Sequence, residues 1–297
     1  MKCVVTGGAG FIGRHLCAAL QTAGHEVVVM DLRQSINREG WAIAQYWDDL
    51  SRIVPNLTGY EWVFHLAGLA AVQPSLERPA EYMRVNVQGT VNVLEAARQA
   101  GVRRVIYAAS GTVYGFAPPQ QPTSETCPPD PGTPYALSKW LGEEVCRHWT
   151  QVYGVPTVAL RLFNPYGPGM SEANRMGEWL AMRRAGQVIT VSGSPNQARD
   201  YCYIDDVVRA FILAAESDVT GEAINIGSGQ PVKIRDLVAM LGPHEFEDAG
   251  WQAPGTWADI SKAKRVLGWA PTVAFEDGMR RVLKAEDSTI NPAGTQA

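Results

Sequence analysis

No apolar run in this 297-residue chain is long enough to cross a bilayer; the longest, such as 26-EVVVM-30 and 104-RVIYAAS-110, are strand-sized. Nor is there an excess of positive charge: the net charge is −4, so no basic field invites nucleic acid. Cysteine is scarce. The five present (Cys3, Cys17, Cys127, Cys146, Cys202) are odd in number and dispersed, which excludes a disulfide framework and points to a reducing, cytoplasmic setting. No Cys/His group has the spacing of a metal site. The chain starts directly on a strand pattern, which leaves no room for a signal peptide. It has no internal repeat, and only residues 288–297 read as a flexible tail.

What is present is an alternation. Strand-like runs at 2–7, 25–31, 61–67, 103–110 and 156–164 are separated by segments of helical period at 11–24, 86–101 and 135–154, each closed by a glycine. Apolar strands joined by helices predict a parallel sheet with right-handed crossovers, a doubly wound Rossmann-type α/β fold. Beyond residue 165 a Gly/Pro-rich loop opens a less periodic region. The expected division is a dinucleotide-binding domain over 1–165 carrying the catalytic residues, then a smaller α/β substrate lobe over 166–287. Some segments of that lobe are expected to return to the first domain.

At the first strand-to-helix junction stands 6-TGGAGFIG-13. Gly7, Gly10 and Gly13 allow a tight turn, close approach of a pyrophosphate and packing of the helix on the sheet. The helix start at Phe11 and Ile12 offers backbone N–H groups to phosphates. Asp31 ends the second strand, where a carboxylate accepts both ribose hydroxyls and repels a 2′-phosphate, favouring NAD over NADP. Arg33 leaves some room for NADP.

A second constellation is 133-TPYALSK-139. On a helix, Tyr135 and Lys139 share a face one turn apart. A free phenol is a poor base at neutral pH, but an ammonium and a cationic nicotinamide beside it favour the phenolate. Ser110 ends a sheet strand, at the crevice where open α/β sheets bind ligands, and Thr112 could add a second hydroxyl. Without that context, Tyr135 and Lys139 would read as solvated helix residues. His65 ends an apolar strand and reads as a core histidine.

The wider glycine spacing, with 63-VFHLAGLAAV-72, 86-NVQGT-90, 110-SGTVYG-115, 161-RLFNPYGPG-169, 199-RDYCYIDDV-207, 225-NIGSG-229 and 259-DISKAKRVLGWAP-271, resembles the extended short-chain dehydrogenase/reductases. Specifically, it resembles the NAD-dependent epimerase/dehydratase family. The resemblance implies an NAD contact set of Gly7, Gly10, Phe11, Ile12, Gly13, Asp31, Leu66, Ala67, Gly68, Asn86, Ala108, Tyr135, Lys139 and Phe163. It implies catalysis by Ser110, Tyr135 and Lys139, with Thr112 in support. It also implies a nucleotide-diphosphate sugar substrate held by Ser110, Tyr135, Asn164 and Arg199, and a homodimer built through two helices.

Chemistry in that family begins with hydride transfer from a sugar carbon, usually C4, to NAD. Its 4,6-dehydratases carry an Asp-Glu pair just before the V-Y-G, where this chain has Gly111 and Thr112. The S-x-T-V-Y-G form resembles the UDP-galactose 4-epimerases, so a nucleotide-sugar 4-epimerase is expected. Two other enzyme readings stay open: a dehydratase using Cys127, on the loop leading to Tyr135 and facing the sugar pocket as a further substrate contact, as its acid, and a 4-ketoreductase. A silent NAD-sensing protein is the reading from another class. One departure stands out. The family's second diphosphate arginine, beside Arg199, has no counterpart in 253-APGT-256. Asn174 and Arg175 are the polar candidates in a short loop after Gly169.

Overall fold

Runs of β-branched residues set the first strands of the computed structural model, which describes residues 1–32, 44–46, 49–247 and 255–290. β1 (Lys2–Thr6) and β2 (Glu26–Met30) each bury their last four residues, and α1 (Phe11–Thr22) joins them. A short β3 (Ala44–Tyr46) and a fully buried β4 (Trp62–His65) follow. The chain then turns through α2 (Val72–Glu77) and α3 (Pro79–Tyr82), passes a single π-helical stretch over Met83–Gln88, and enters α4 (Gly89–Ala100). The helix expected over 86–101 therefore begins earlier, at Pro79, whose fixed φ suits a first helical position.

β5 (Arg104–Ser110) is buried throughout and leads through a 3₁₀ turn, Gly111–Tyr114, toward α5 (Pro134–Tyr153). Local chemistry fixes both ends of α5. The Thr133 hydroxyl accepts from the Ala136 N–H at 3.2 Å with Pro134 next in line, and Gly154 closes the helix at φ +70°. β6 (Thr157–Leu162) follows.

After β6 the elements shorten: β7 (Pro165–Tyr166), α6 (Arg175–Arg184), β8 (Ile189–Ser192), β9 (Ala198–Asp200), β10 (Cys202–Tyr203) and α7 (Ile204–Glu216). β11 (Glu222–Ile226) is succeeded by β12 (Pro231–Lys233), α8 (Ile234–Leu241), β13 (His244–Glu247), β14 (Gly255–Thr256), α9 (Ser261–Leu267) and α10 (Phe275–Ile290). α10 reaches Ile290, so the first three residues of the segment read as a tail are helical.

Seven strands form one parallel sheet in the order β11-β6-β5-β4-β1-β2-β3. Alternate residues feed two apolar layers. Val5, Phe64, Ile106 and Leu160 pack with Leu16 and Phe211 on one face, and Val4, Val63, Val105 and Ala159 pack with Val93 and Leu94 on the other. Chain order reverses between β1 and β4, and a crevice opens at such a reversal, outside the carboxyl ends of the strands. Three small sheets, β10-β7, β12-β9-β14 and β13-β8, stand apart from this one, while β11 lies in the main sheet beside β6.

Candidate active site

Gly7 sits at the reversal point with φ +70°. A Cβ there would lie 2.7 Å from the Ala67 nitrogen and 2.8 Å from the Leu66 carbonyl carbon, so only glycine lets the ends of β1 and β4 approach. Gly13 is equally enforced, because a Cβ would press on the Gly7 carbonyl oxygen. Gly10 caps α1 without any side-chain cap, leaving the first-turn amides of Phe11, Ile12 and Gly13 to be met from outside the helix. Asp31 is buried at the end of β2, and its Oδ2 accepts from the Ala9 N–H at 3.0 Å, so the carboxylate and the turn form one unit. This cradle fits a dinucleotide. Arg33 lies outside the described residues.

The loop after β4 is pinned by a buried chain of hydrogen bonds. Ala67 N–H donates to Thr6 Oγ1 (3.2 Å), and Thr6 Oγ1 meets His65 Nδ1 (2.7 Å). On the other side, His65 Nε2 meets Thr90 Oγ1 (3.0 Å), which donates to the Asn86 carbonyl (2.6 Å). Because Thr90 spends its proton on that carbonyl, His65 must donate from Nε2 and accept at Nδ1. Burial, with the charge of Lys139 adding to it, takes the imidazole down to about 3, so it stays neutral. His65 is thus a core histidine with both nitrogens used. Asn86 carries the chain onward. Its Oδ1 accepts from Leu69 N–H (2.7 Å), and its Nδ2 donates to the Leu69 carbonyl (3.0 Å) and to Ser138 Oγ (2.8 Å) on α5. Gly68 is exposed on this loop, and a Cβ there would lie 2.9 Å from Asn86 Oδ1 and 3.5 Å from Lys139 Nζ.

Ser110, Thr112, Tyr135 and Lys139 converge at the end of β5. Thr112 donates twice to Ser110 Oγ, from its N–H (3.2 Å) and from its hydroxyl (2.9 Å). With both lone pairs occupied, Ser110 has only its proton left to offer, and its effect on the Tyr135 phenol is to lower the pKa. Lys139 Nζ donates to the Ala108 carbonyl (2.9 Å) and stands 5.1 Å from the centre of the Tyr107 ring. Burial lowers Lys139 to about 8. Tyr135 departs from the expectation. Its pKa is raised, because burial outweighs the Ser110 hydrogen bond and Tyr82 pushes the same way. Lys139 is not among the groups that offset this, so the protein's own groups hold the phenol protonated.

The remaining expected residues divide. Phe163 is buried, with its ring against Gly111, where a Cβ would lie 2.8 Å away. Asn164 is exposed and left-handed (φ +32°), a conformation asparagine tolerates, and its Nδ2 donates to the Asp200 carbonyl (2.7 Å). The guanidinium of half-buried Arg199 makes no hydrogen bond or ion pair among the described residues, and burial lowers its pKa. The neighbouring Asp200 is saturated instead: it accepts from Ser228 N–H and Oγ (both 2.6 Å), Gly229 N–H (3.0 Å) and Ala258 N–H (3.0 Å). Asn174 caps α6 by accepting from Gly177 N–H (2.8 Å), and exposed Arg175 pairs with Glu178 at 3.2 Å.

Cys127 is 6% exposed, packed in the apolar layer, with its thiol against the Pro128 carbonyl (3.8 Å); no hydrogen bond joins it to Ser110, Thr112 or Tyr135. Of 253–256, only Gly255 and Thr256 are described, and they pair with β9 through Ala198 and Arg199.

Two residues not anticipated from sequence touch the set. Ser138 is fully buried between Asn86 and the Tyr135 carbonyl, to which it donates at 2.8 Å. A serine in a helix interior is its only sequence signal. Tyr82 lies edge-on to Tyr135, with ring centres 6.3 Å apart and planes at 83°.

The glycine cradle, Asp31 and the serine–tyrosine–lysine cluster lie toward the carboxyl ends of the parallel strands. The NAD dependent epimerase/dehydratase family model matches residues 3–227. The chain belongs to this family. The UDP-glucose 4-epimerase of Mycolicibacterium smegmatis is 34% identical to it over 96% of this chain and 98% of that protein. The crystal structure of UDP-glucose 4-epimerase from Thermotoga maritima with UDP-glucose superposes with a TM-score of 0.88 at 32% identity, covering 98% of this chain and all of that one. MoeE5 in complex with UDP-glucuronic acid and NAD gives 0.90 at 32% identity, over 97% and 100% of the two chains. Among the described residues no helix is long and apolar enough to cross a membrane, and no group of three or more His, Cys, Asp or Glu could hold a metal ion.

Proposed function

We propose that this protein is an NAD-dependent nucleotide-sugar 4-epimerase that acts on an NDP-hexose through a 4-keto intermediate. The observation that carries the reading is the convergence of Ser110, Thr112, Tyr135 and Lys139 at the carboxyl end of β5, with Thr112 donating twice to Ser110 and Lys139 donating to the Ala108 carbonyl. Gly7, Gly10, Phe11, Ile12 and Gly13 receive the pyrophosphate of NAD and Asp31 a ribose. Leu66, Ala67, Gly68, Asn86, Ala108 and Phe163 form the wall along the rest. NAD held there supplies the hydride acceptor and donor for C4.

The chain's own part is proton management and grip. Tyr135 takes the proton from the C4 hydroxyl as that carbon is oxidised and returns it afterwards. Its raised value calls for a cation nearby during turnover, which the nicotinamide supplies when NAD is bound. Ser110 donates to the same oxygen as it becomes a carbonyl. Lys139, with donors to spare beyond Ala108, reaches the nicotinamide ribose. Arg199 grips the diphosphate, supported by a guanidinium that makes no hydrogen bond or ion pair among the described residues, and Asn164 faces the sugar nucleotide from its left-handed turn. Cys127 is read as a packing residue. No carboxylate pair precedes Val113 and Tyr114, which supports epimerisation over loss of water.

We further infer residues 1–165 as the NAD domain and 166–287 as mainly the sugar-nucleotide lobe. A homodimer through α4 and α5 is supported by the half-exposed Val152 and Tyr153 at the end of α5. A cytoplasmic setting is supported by the five free, buried cysteines. Proton NMR of the protein with UDP- and dTDP-hexoses, without added cofactor, tests the function. Interconversion of C4 epimers supports it; a 4-keto-6-deoxy product, or dependence on added reduced cofactor, overturns it.

A further inference from the structure

Tyr82 is 1% exposed at the end of α3, and both parts of its side chain are committed. Its hydroxyl donates to the Ala71 carbonyl at 2.6 Å, and its ring meets Tyr135 edge-on. One turn later, across the π-helical stretch, Asn86 repeats the arrangement: it holds Leu69 through both its amide atoms and Ser138 on α5 through its Nδ2. Two residues four apart therefore each join the loop 66–71 to the helix that carries Tyr135 and Lys139. π-Turns inside helices gather at functional sites, and this one sets the spacing of the two bridges.

We propose that Tyr82 is a positioning residue that holds the Tyr135 ring in register with Ser110 and ties it to the loop 66–71. This rests on reading Tyr135 as the proton-transferring phenol. A buried tyrosine anchored at its hydroxyl has a fixed ring plane, and an edge-on neighbour cannot then tilt without losing contact. The loop it anchors carries Gly68 next to Lys139 Nζ, so a shift of that loop is felt at Tyr135 through Tyr82 and at Ser138 through Asn86.

The test uses protein labelled with ¹³C at the tyrosine Cζ, with the Tyr135 resonance identified by its loss in Tyr135→Phe. Because the Tyr82 ring lies edge-on to Tyr135, Tyr82→Leu is expected to shift that resonance, whereas Tyr82→Phe, which keeps the ring, is expected to leave it near the wild-type position. In turnover, Tyr82→Leu is expected to lose roughly 10- to 100-fold in kcat with KM within about twofold. Tyr82→Phe, which keeps the ring, is expected to retain most of kcat. An unmoved Tyr135 resonance in Tyr82→Leu overturns the proposal, and Tyr82→Met, which also lacks the ring, decides it where Tyr82→Leu does not fold. A parallel fall of kcat, bound NAD and Tm in both variants also overturns it, since that is a purely structural loss. The resonance shift needs no turnover, so it is decided separately from whether Tyr135→Phe abolishes epimerisation.

Discussion

Lys139 and Tyr135, four residues apart on α5, meet Ala108 and Ser110, two residues apart on β5. The match is geometric. Four residues of α-helix rise about 6 Å, and two residues of a parallel strand about 6.6 Å. A helix running back along the strand before it therefore sets one side chain over the last strand residue and the next turn's side chain two residues deeper. Ser110 stands where the strand meets the crevice, and Lys139 where the sheet is dry. That difference in depth sets the phenol at the strand end and the ammonium two residues deeper.

Replacing Tyr135 with phenylalanine removes one oxygen and leaves the ring packed against Tyr82. Turnover is expected to fall by about 10²- to 10⁴-fold, the usual worth of a positioned acid–base group. Bound NAD and Tm are expected to stay near wild type, because the glycine cradle and Lys139 are untouched. NMR of the sugar nucleotide, with NAD measured after denaturation, checks both. Normal turnover in the variant would remove Tyr135 from the mechanism.

His65 gives the fold a pH dependence of defined sign. Its folded value of about 3 lies below the 6.5 of a free imidazole, so between these values the unfolded chain binds a proton that the folded chain refuses. Its contribution to stability is complete above pH 6.5 and is lost progressively as the pH falls toward 3. Comparison with His65→Gln, which keeps a donor and an acceptor but cannot titrate, isolates the effect. The stability advantage of wild type over the variant is expected to shrink by about 2–3 kcal/mol between pH 7 and pH 4.5. Urea melts at the two pH values measure it, and an unchanged difference would show that His65 does not carry the dependence.

The sequence made legible those parts of the site that depend on local pattern. Glycines 7, 10 and 13 between a strand and a helix, Asp31 at the next strand end, and Tyr135 and Lys139 on one helix face all follow from period and spacing. What was not legible depends on distant packing. Tyr82 and Tyr135 are 53 positions apart and meet only because α3 folds against α5. The direction for the Tyr135 phenol in the protein alone was not legible for the same reason: spacing puts an ammonium one turn away, but only the folded chain reveals that burial governs the phenol. Cys127 looked placed for chemistry because its loop leads to Tyr135, yet that loop tucks the thiol into the apolar layer.

Gly7→Ala combines two faults: a left-handed backbone, which costs an L-residue about 1–2 kcal/mol, and a Cβ 2.7 Å from the Ala67 nitrogen. With overpacking of about 1–3 kcal/mol added, the total loss is expected to be roughly 2–5 kcal/mol. Loss of bound NAD is expected with it, as the loop 66–71 is pushed away. Gly24→Ala is the control: its φ is +81°, but nothing lies within 4 Å of the added carbon. It is expected to show the backbone cost alone and full NAD content. Equal NAD content in the two variants would mean that the close approach of β1 and β4 does not shape the cofactor site.

Arg199 leads to two effects of opposite sign. Its half-buried guanidinium makes no hydrogen bond or ion pair among the described residues, and burial lowers its pKa, so the folded chain bears a desolvation cost that only an anion relieves. Arg199→Met is therefore expected to leave the Tm of the ligand-free protein unchanged or raised. The same change is expected to weaken binding of UDP by about 1.5–3 kcal/mol, roughly 10- to 150-fold, the worth of a hydrogen bond to a charged group. Arg199→Lys is expected to recover only part of this, because an ammonium lacks the planar fork that meets two phosphate oxygens. Calorimetric titration with UDP and thermal melts without it separate the effects. Undiminished UDP affinity in Arg199→Met would mean that the diphosphate is held elsewhere, and a lowered Tm would mean that Arg199 supports the fold itself.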